Sequence, residues 1–377
     1  MGADAYIAGN VGTGTPREMQ EWVEYMTAPH DSSAAARRRK NGRDAPWALP
    51  YFGVGNENWG CGGNMRPEYY ADLYRHFATF VKQYDLPRRT QRVACGPNSA
   101  DYNWTEVVMS RAAGMMDALS MHYYTLPTGD WHRKGSSTDF DEDGWFHTLK
   151  NTLRMDELVT KHSEIMDRHD PNCRVGLFVD EWGTWYDPSP GTNPGFLEQQ
   201  NTLRDALVAA LNLHIFHKHA RRVQMANLAQ TINVLQALIL TRGPDMLQTP
   251  TYWVFEMLQG HQAGLSLPLE FDAPPYAFSG EEIIGLSGSA SRNEANGTVL
   301  LSWANPHPTR AVELFCRIEG GPLTRATARV LSAPSMNARN TFEAPRALEP
   351  ATHPATLAGN ALSLTLPPKC VLTVELS

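Results

Sequence analysis

Two short apolar runs, each closed by a glutamate, constrain this chain more than any other feature. Tyr51-Phe52-Gly53-Val54-Gly55 leads into Asn56-Glu57-Asn58-Trp59-Gly60, and Val175-Gly176-Leu177-Phe178-Val179 leads into Asp180-Glu181-Trp182-Gly183-Thr184-Trp185. An apolar run of this length with aromatic or branched residues, ending in a polar, glycine-containing turn, reads as a buried strand. Both carboxylates then sit where a strand hands over to a loop. In an α/β barrel that is the C-terminal rim, where active sites are built. A glutamate can also cap a helix or pair with an arginine. Two in the same context, each beside a tryptophan, point to chemistry instead.

The stretches between and around these runs alternate strand with helix. Ala5–Ala8 reads as a strand, and Thr15-Pro16 then supplies an N-cap and first helical position, with Met19, Trp22, Val23 and Met26 on one face. Residues 28–49 read as a polar loop whose Arg37, Arg38, Arg39, Lys40 and Arg43 form a solvated surface. A helix from Pro67, a strand over 92–97, a helix over 105–114 and a strand over 118–121 ending at His122-Tyr123-Tyr124 come next. A loop over 125–147, helices over 148–168 and 196–219, an apolar segment over 224–240 and a helix over 251–259 complete this part. Such alternation predicts a parallel α/β architecture over residues 1–259. From Gly260 the texture changes to short alternating runs punctuated by proline, glycine and serine, among them 298–303, 311–316 and 370–376. Residues 260–377 are therefore expected to form a β-sandwich.

Composition narrows the function. A net charge of −7 argues against a nucleic-acid partner, and no apolar run of about 18 residues suggests a membrane span. The N-terminus shows neither a basic nor an apolar leader region, and the five scattered cysteines read as reduced thiols, so a cytoplasmic location is expected. Five of the ten tryptophans (Trp59, Trp131, Trp145, Trp182 and Trp185) fall in expected loops or turns, where aromatic faces suit sugar rings. Metal chemistry finds little support. Asp139–Gly144 begins like a calcium loop, but Lys150 stands where the bidentate glutamate belongs. His214, His217 and His219 lack an H-E-x-x-H pattern and read as a surface helix face. Glu57 and Glu181 remain as a carboxylate pair of the kind that cleaves glycosidic bonds, with no metal or cofactor expected.

The residues 53–60, the helix after Pro67, and the motifs Asn10–Thr15, Trp22–Tyr25, Met121–Tyr124, Asp180–Trp182 and Met225–Gln230 together resemble the α-L-arabinofuranosidases of glycoside hydrolase family 51, in the family's order along the chain. The resemblance implies a (β/α)8-type barrel with an appended β-sandwich and a retaining, exo-acting arabinofuranosidase working on arabinan, arabinoxylan or their oligosaccharides. It implies Glu57 as general acid/base, with a raised pKa, and Glu181 as nucleophile. It also implies Asn56, His122, Tyr124, Trp185 and Gln230 around the sugar, with Tyr124 orienting the nucleophile and Gln230 on the last barrel strand. A homo-oligomer is expected by the same resemblance. Its first two β/α units have no counterpart here, so Ala5–Asn10 corresponds to the third barrel strand. A β-glycanase of the same clan, and a weakly active or non-catalytic segment that binds sugar, are the alternatives.

Overall fold

The computed structural model describes residues 3–85, 87, 89–262, 264–320 and 323–377. Strand β1 (Tyr6–Gly9) is followed by helices α1 (Pro16–Thr27) and α2 (Ser33–Lys40), and β2 (Tyr51–Val54) by α3 (Pro67–Phe80). Then come β3 (Gln91–Ala94), α4 (Tyr102–Ala112), β4 (Ala118–Thr125), α5 (Glu142–His169), β5 (Gly176–Thr184), α6 (Leu203–Lys218) and β6 (Val223–Leu228). The six strands form one sheet in sequence order, β1 to β6, with β1 and β6 as its end strands. The pairs β1–β2, β2–β3 and β3–β4 are parallel, as helical connections require. A hairpin of β7 (Ile239–Arg242) and β8 (Asp245–Gln248) precedes α7 (Pro250–Leu258).

The chain divides into two compact units, one of residues 1–123, 158–180 and 221–226, the other of 124–157, 181–220 and 227–377. In the first, Phe52, Val54, Tyr70, Tyr74, Phe77 and Trp104 are buried. The Tyr70 hydroxyl donates to the Val54 carbonyl at 2.7 Å and accepts from the Cys95 N–H, joining α3 to β2 and to the residue after β3. Helix α1 opens on a capping box: Thr15 Oγ1 accepts from the Glu18 N–H, and the Glu18 carboxylate accepts from the Thr15 N–H. Met19, Val23 and Met26 are buried as its spacing implies, while Trp22 stays 43% exposed.

The reading of 28–49 as a solvated loop needs correction. Ser32 caps α2, and Arg38 is fully buried, donating to the carbonyls of Tyr25, Ala28 and Asp44 at 2.9–3.0 Å. A guanidinium with its donors spread in a fork can satisfy the carbonyls at the end of α1, which a basic run alone does not reveal.

The second unit holds the C-terminal β region. Strands β9 (Leu265–Leu267), β10 (Tyr276–Phe278), β11 (Glu281–Ile283), β12 (Ser287–Arg292), β13 (Val299–Asn305), β14 (Val312–Arg317), β15 (Ala326–Ser332), β16 (Ala351–His353), β17 (Thr356–Ala358), β18 (Ala361–Leu366) and β19 (Cys370–Leu376) follow in order. A six-stranded sheet, β16-β15-β19-β13-β12-β9, and a three-stranded one, β14-β18-β17, share one apolar cluster. Leu301, Trp303, Leu372 and Val374 come from the first sheet; Leu314, Leu362, Leu364 and Leu366 come from the second. Shared burial from two sheets is the sandwich expected from the alternating runs.

Three further expectations change in this unit. Helix α5 begins at Glu142, six residues before the expected start, because Asp141 Oδ1 accepts from the N–H groups of Asp143 and Gly144. The acidic stretch that resembles a calcium loop thus serves as a helix start. Trp145 and Trp182 are completely buried, so they are core residues and not loop platforms. His214 and His217 are not on a surface face either. His214 bonds Ser287 and Ser302, each at 3.0 Å, and His217 bonds Ser289 at 2.8 Å, while His219 pairs with Asp156. Helix α6 is buried on nearly every side and packs on β12, β13 and β19, so its sequence carries no polar stripe to warn of this.

Candidate active site

In the first unit the site is built around the turn after β2. Gly55 has φ +99°, and a Cβ there would stand 2.1 Å from Asn58 Oδ1, so this position requires glycine. Glu57 itself takes φ +45°, a left-handed conformation that costs a non-glycine residue energy. The turn is held by Gly60 and Gly62 N–H groups donating to the Glu57 carbonyl, at 2.8 and 2.9 Å, and by Asn58 Nδ2 donating to the Gly62 carbonyl at 2.7 Å. Asn58 is buried, whereas Asn56 is exposed and Glu57 is intermediate. The strained backbone therefore presents two polar side chains in succession beyond the strand end.

Strand β4 carries His122, which is buried, and its Nδ1 lies 2.9 Å from Glu57 Oε1. The imidazole's other nitrogen stands 3.1 Å from Oδ1 of Asp180, in the middle of β5. Tyr6 on β1 donates its hydroxyl to Asp180 Oδ2 at 2.9 Å; burial, reinforced by that carboxylate, pushes its pKa well up and keeps it a donor. The Trp59 ring meets His122 edge-on at 6.3 Å. The Cys61 thiol, which is exposed, donates to Glu57 Oε2 at 3.1 Å. Both oxygens of Glu57 are thus engaged.

The electrostatic outcome corrects one expectation. The pKa of Glu57 is lowered, first by its hydrogen bond to His122, with the Cys61 thiol adding to the effect and partial burial opposing it. A raised value, as the resemblance implies for an acid, would need burial to prevail over these donors. In this arrangement the residue favours its carboxylate, the form that can act as a base.

The second unit holds the other glutamate. Tyr124, two residues after His122 on β4, donates its hydroxyl to Glu181 Oε2 at 2.8 Å. Glu181 directly follows Asp180 on β5 and is only partly buried. Trp185 packs edge-on against Tyr124 with ring centroids 5.0 Å apart, and the exposed Trp131 packs edge-on against Trp185 at 5.1 Å. Behind them, Thr184 Oγ1 and Tyr186 Oη both donate to the buried carboxylate of Asp205 on α6. Gln230 is not on the strand, as the resemblance implied. Strand β6 ends at Leu228, and Gln230 follows as an exposed residue.

Sequence reasoning named Glu57, His122, Tyr124, Glu181 and Trp185. It passed over Asp180, Tyr6, Cys61 and Asp205 as participants. Asp180 is adjacent to a named glutamate, which is a signal in itself. A lone tyrosine on the first strand and a cysteine four residues past Glu57 carry none until the fold brings them into contact.

The chain matches two family models, the α-L-arabinofuranosidase 1 domain over residues 7–143 and the α-L-arabinofuranosidase C-terminal domain over residues 180–370. It is 43% identical over its whole length to an intracellular exo-α-L-arabinofuranosidase of Bacteroides ovatus, covering 73% of that protein. Its structure is similar to that of a GH51 arabinofuranosidase from Xanthomonas axonopodis pv. citri, with TM-score 0.97, 50% identity, and coverage of 100% of this chain and 76% of that one. An α-L-arabinofuranosidase from Thermotoga maritima is similar at TM-score 0.85 and 25% identity, with 99% and 76% coverage. Among the described residues no helix is long and apolar enough to cross a membrane. With two family models in sequence order and 43% identity over its full length to a named relative, the chain belongs to the α-L-arabinofuranosidases of glycoside hydrolase family 51.

Proposed function

We propose that the chain is a retaining, exo-acting α-L-arabinofuranosidase that removes terminal arabinofuranosyl residues from arabinan, arabinoxylan or their oligosaccharides. Glu181 attacks the anomeric carbon, and Glu57 protonates the departing oxygen. Glu57, now ionised, then takes a proton from water, which displaces Glu181 and releases arabinose with its configuration retained. Asn56, His122, Tyr124, Trp185 and Gln230 contact or orient the sugar and the two carboxylates.

The observation that carries this reading is the Tyr124–Glu181 hydrogen bond of 2.8 Å. It orients the Glu181 carboxylate through a neutral hydroxyl donor, as a positioned nucleophile requires. The His122 and Cys61 donors on Glu57 support its role as base in the second step.

The test uses an aryl α-L-arabinofuranoside with and without azide. Glu181→Ala should lose activity, on the order of 10²–10⁴-fold or more, with no recovery by the retaining route. Glu57→Ala should keep glycosylation by an activated leaving group, and azide should restore turnover with a retained glycosyl azide. If azide rescued Glu181→Ala in that way, the roles would be reversed. An inactive parent chain would reject the catalytic reading.

A further inference from the structure

The pKa of Glu57 is lowered, yet the first step of the proposed reaction needs a proton at this residue. The surroundings of His122 show where that proton can be kept. Its Nδ1 lies 2.9 Å from Glu57 Oε1, and its Nε2 lies 3.1 Å from Asp180 Oδ1. The second contact is an ion pair and not an aligned hydrogen bond, so charge governs it more than direction. The His122 side chain is 4% exposed and that of Asp180 9%, against 21% for Glu57. Among the described residues, the ion pairs of Glu57 and of Asp180 are both with His122, and neither carboxylate has an arginine or lysine beside it. Two carboxylates against one buried ring call for a positive charge between them, and the imidazolium supplies it. In that form both ring nitrogens carry hydrogen.

Four elements of the first unit hold this arrangement. His122 is on β4, Asp180 on β5 and Tyr6 on β1, while Glu57 stands in the turn after β2. Tyr6 donates its hydroxyl to Asp180 Oδ2 at 2.9 Å, and its ring packs edge-on against Tyr51 and Phe178 at 6.3 and 6.5 Å. Asp180 is thus held through its other oxygen by a neutral donor, which steadies the carboxylate without cancelling its charge. Trp59 Nε1 donates to the Gly96 carbonyl at 3.1 Å, which fixes the ring that meets His122 edge-on.

We propose that Glu57 and His122 hold the acid proton jointly, and that Asp180, braced by Tyr6, is the positioning residue that keeps it on this pair. The proposal rests on the arabinofuranosidase reading and adds how its acid is loaded. When the glycosidic C–O bond breaks, its electron pair stays on the departing oxygen, which takes the shared proton through Glu57. The pair is left as a carboxylate and a neutral imidazole whose Nε2–H remains at Asp180. In the second step the attacking water gives one proton back, and the pair returns to carboxylate and imidazolium. Glu57 therefore serves as an acid although its carboxylate form is favoured, because the proton waits on a nitrogen 2.9 Å away.

Leaving-group dependence and imidazole NMR test this on the full chain. Asp180→Asn removes the charge and keeps the shape. It should lower kcat/KM on the order of 10²-fold for a phenyl or methyl arabinofuranoside, whose departing oxygen needs a proton. For a 2,4-dinitrophenyl arabinofuranoside, which departs unprotonated, the loss should be about threefold at most. Tyr6→Phe keeps the ring and should give the same split at smaller size, about two- to tenfold on the phenyl glycoside, the worth of one hydrogen bond. The nitrogen-15 spectrum of the parent at neutral pH should show both His122 ring nitrogens protonated, and that of Asp180→Asn one of them bare. Equal losses across the leaving groups, or a neutral His122 ring in the parent, would overturn the shared proton. If Asp180→Asn does not fold, Tyr6→Phe and the parent spectrum decide the matter. A parent chain that cleaves no arabinofuranoside would count against the arabinofuranosidase reading, while its spectrum would still fix the state of the ring.

Discussion

At the scale of single residues, the carboxylate of Glu57 is governed by two donors of different kinds. His122 meets Oε1 and Cys61 meets Oε2, and both lower its pKa against the opposing effect of burial. A lowered value means that the proton is lost at lower pH, so the protonated acid form is depleted early as pH rises. Removing a donor must therefore raise the pKa and move the alkaline limb of the kcat/KM profile upward, since that profile reports the free enzyme. Cys61→Ala is expected to do this, whereas Cys61→Ser keeps a hydroxyl donor and should leave the limb near that of the parent. The comparison is a pH–rate profile on an aryl arabinofuranoside. Coincident profiles for all three proteins would show that the thiol has no influence on the acid.

At the scale of elements, Asp205 links strand β5 to helix α6. One of its oxygens accepts from Thr184 at 2.8 Å and Tyr186 at 2.9 Å, and the other from the N–H and hydroxyl of Thr202 in the helix-opening capping box. Its neighbour Arg204 is sandwiched between Phe140 and Tyr186 and donates to the carbonyls of Ser136 and Ser137, which holds the preceding loop. Thr184 belongs to the Glu181–Trp185 segment and Tyr186 follows it directly. Asp205→Ala leaves two buried hydroxyls and a helix N-terminus without an acceptor, and should cost about 3–5 kcal/mol. Urea unfolding measures this directly. A loss below about 1 kcal/mol would mean that the capping box and the hydroxyl contacts do not act together.

At the scale of the whole molecule, stability should depend on pH through a buried histidine–serine network. His214, His217 and His261 bond Ser287, Ser289, Ser291 and Ser302 on β12 and β13. Burial pushes His217 down to about 4 and His261 to about 3, and lowers His214 well below its ordinary value. Above about pH 6.5 folded and unfolded chains both carry them neutral, and their stabilising contribution is fully present. As pH falls toward 4 only the unfolded chain gains protons, so stability declines by roughly 1.4 kcal/mol per pH unit for each of His217 and His261, then levels off near their folded values. The double variant His217→Gln, His261→Gln should show a shallower loss of unfolding free energy between pH 6.5 and 4.5. An identical slope would assign the acid sensitivity to other groups.

The sequence by itself determined which segments become strands and helices where the pattern is strongly periodic or explicitly capped. Thr15-Pro16 marked the start of α1 because its capping chemistry is local. The run 370–376 became β19 because alternation requires a buried face. The two glutamates were legible because each ends an apolar run, although only Glu57 lies past its strand, β2 ending at Val54, whereas β5 runs on through Glu181 to Thr184. What only the tertiary structure decided is the partner of each polar group. Arg38 in a basic run, His214 on a helix and Trp182 after a glutamate all look like surface or loop residues in one dimension. Arg38 is buried because the end of α1 and the residues after α2 supply its acceptors, and His214 and Trp182 because elements distant in the chain supply their contacts. The protonation preference of Glu57 belongs to the same class. It depends on a histidine 65 positions away, and no spacing rule acting along the chain fixes that separation in space.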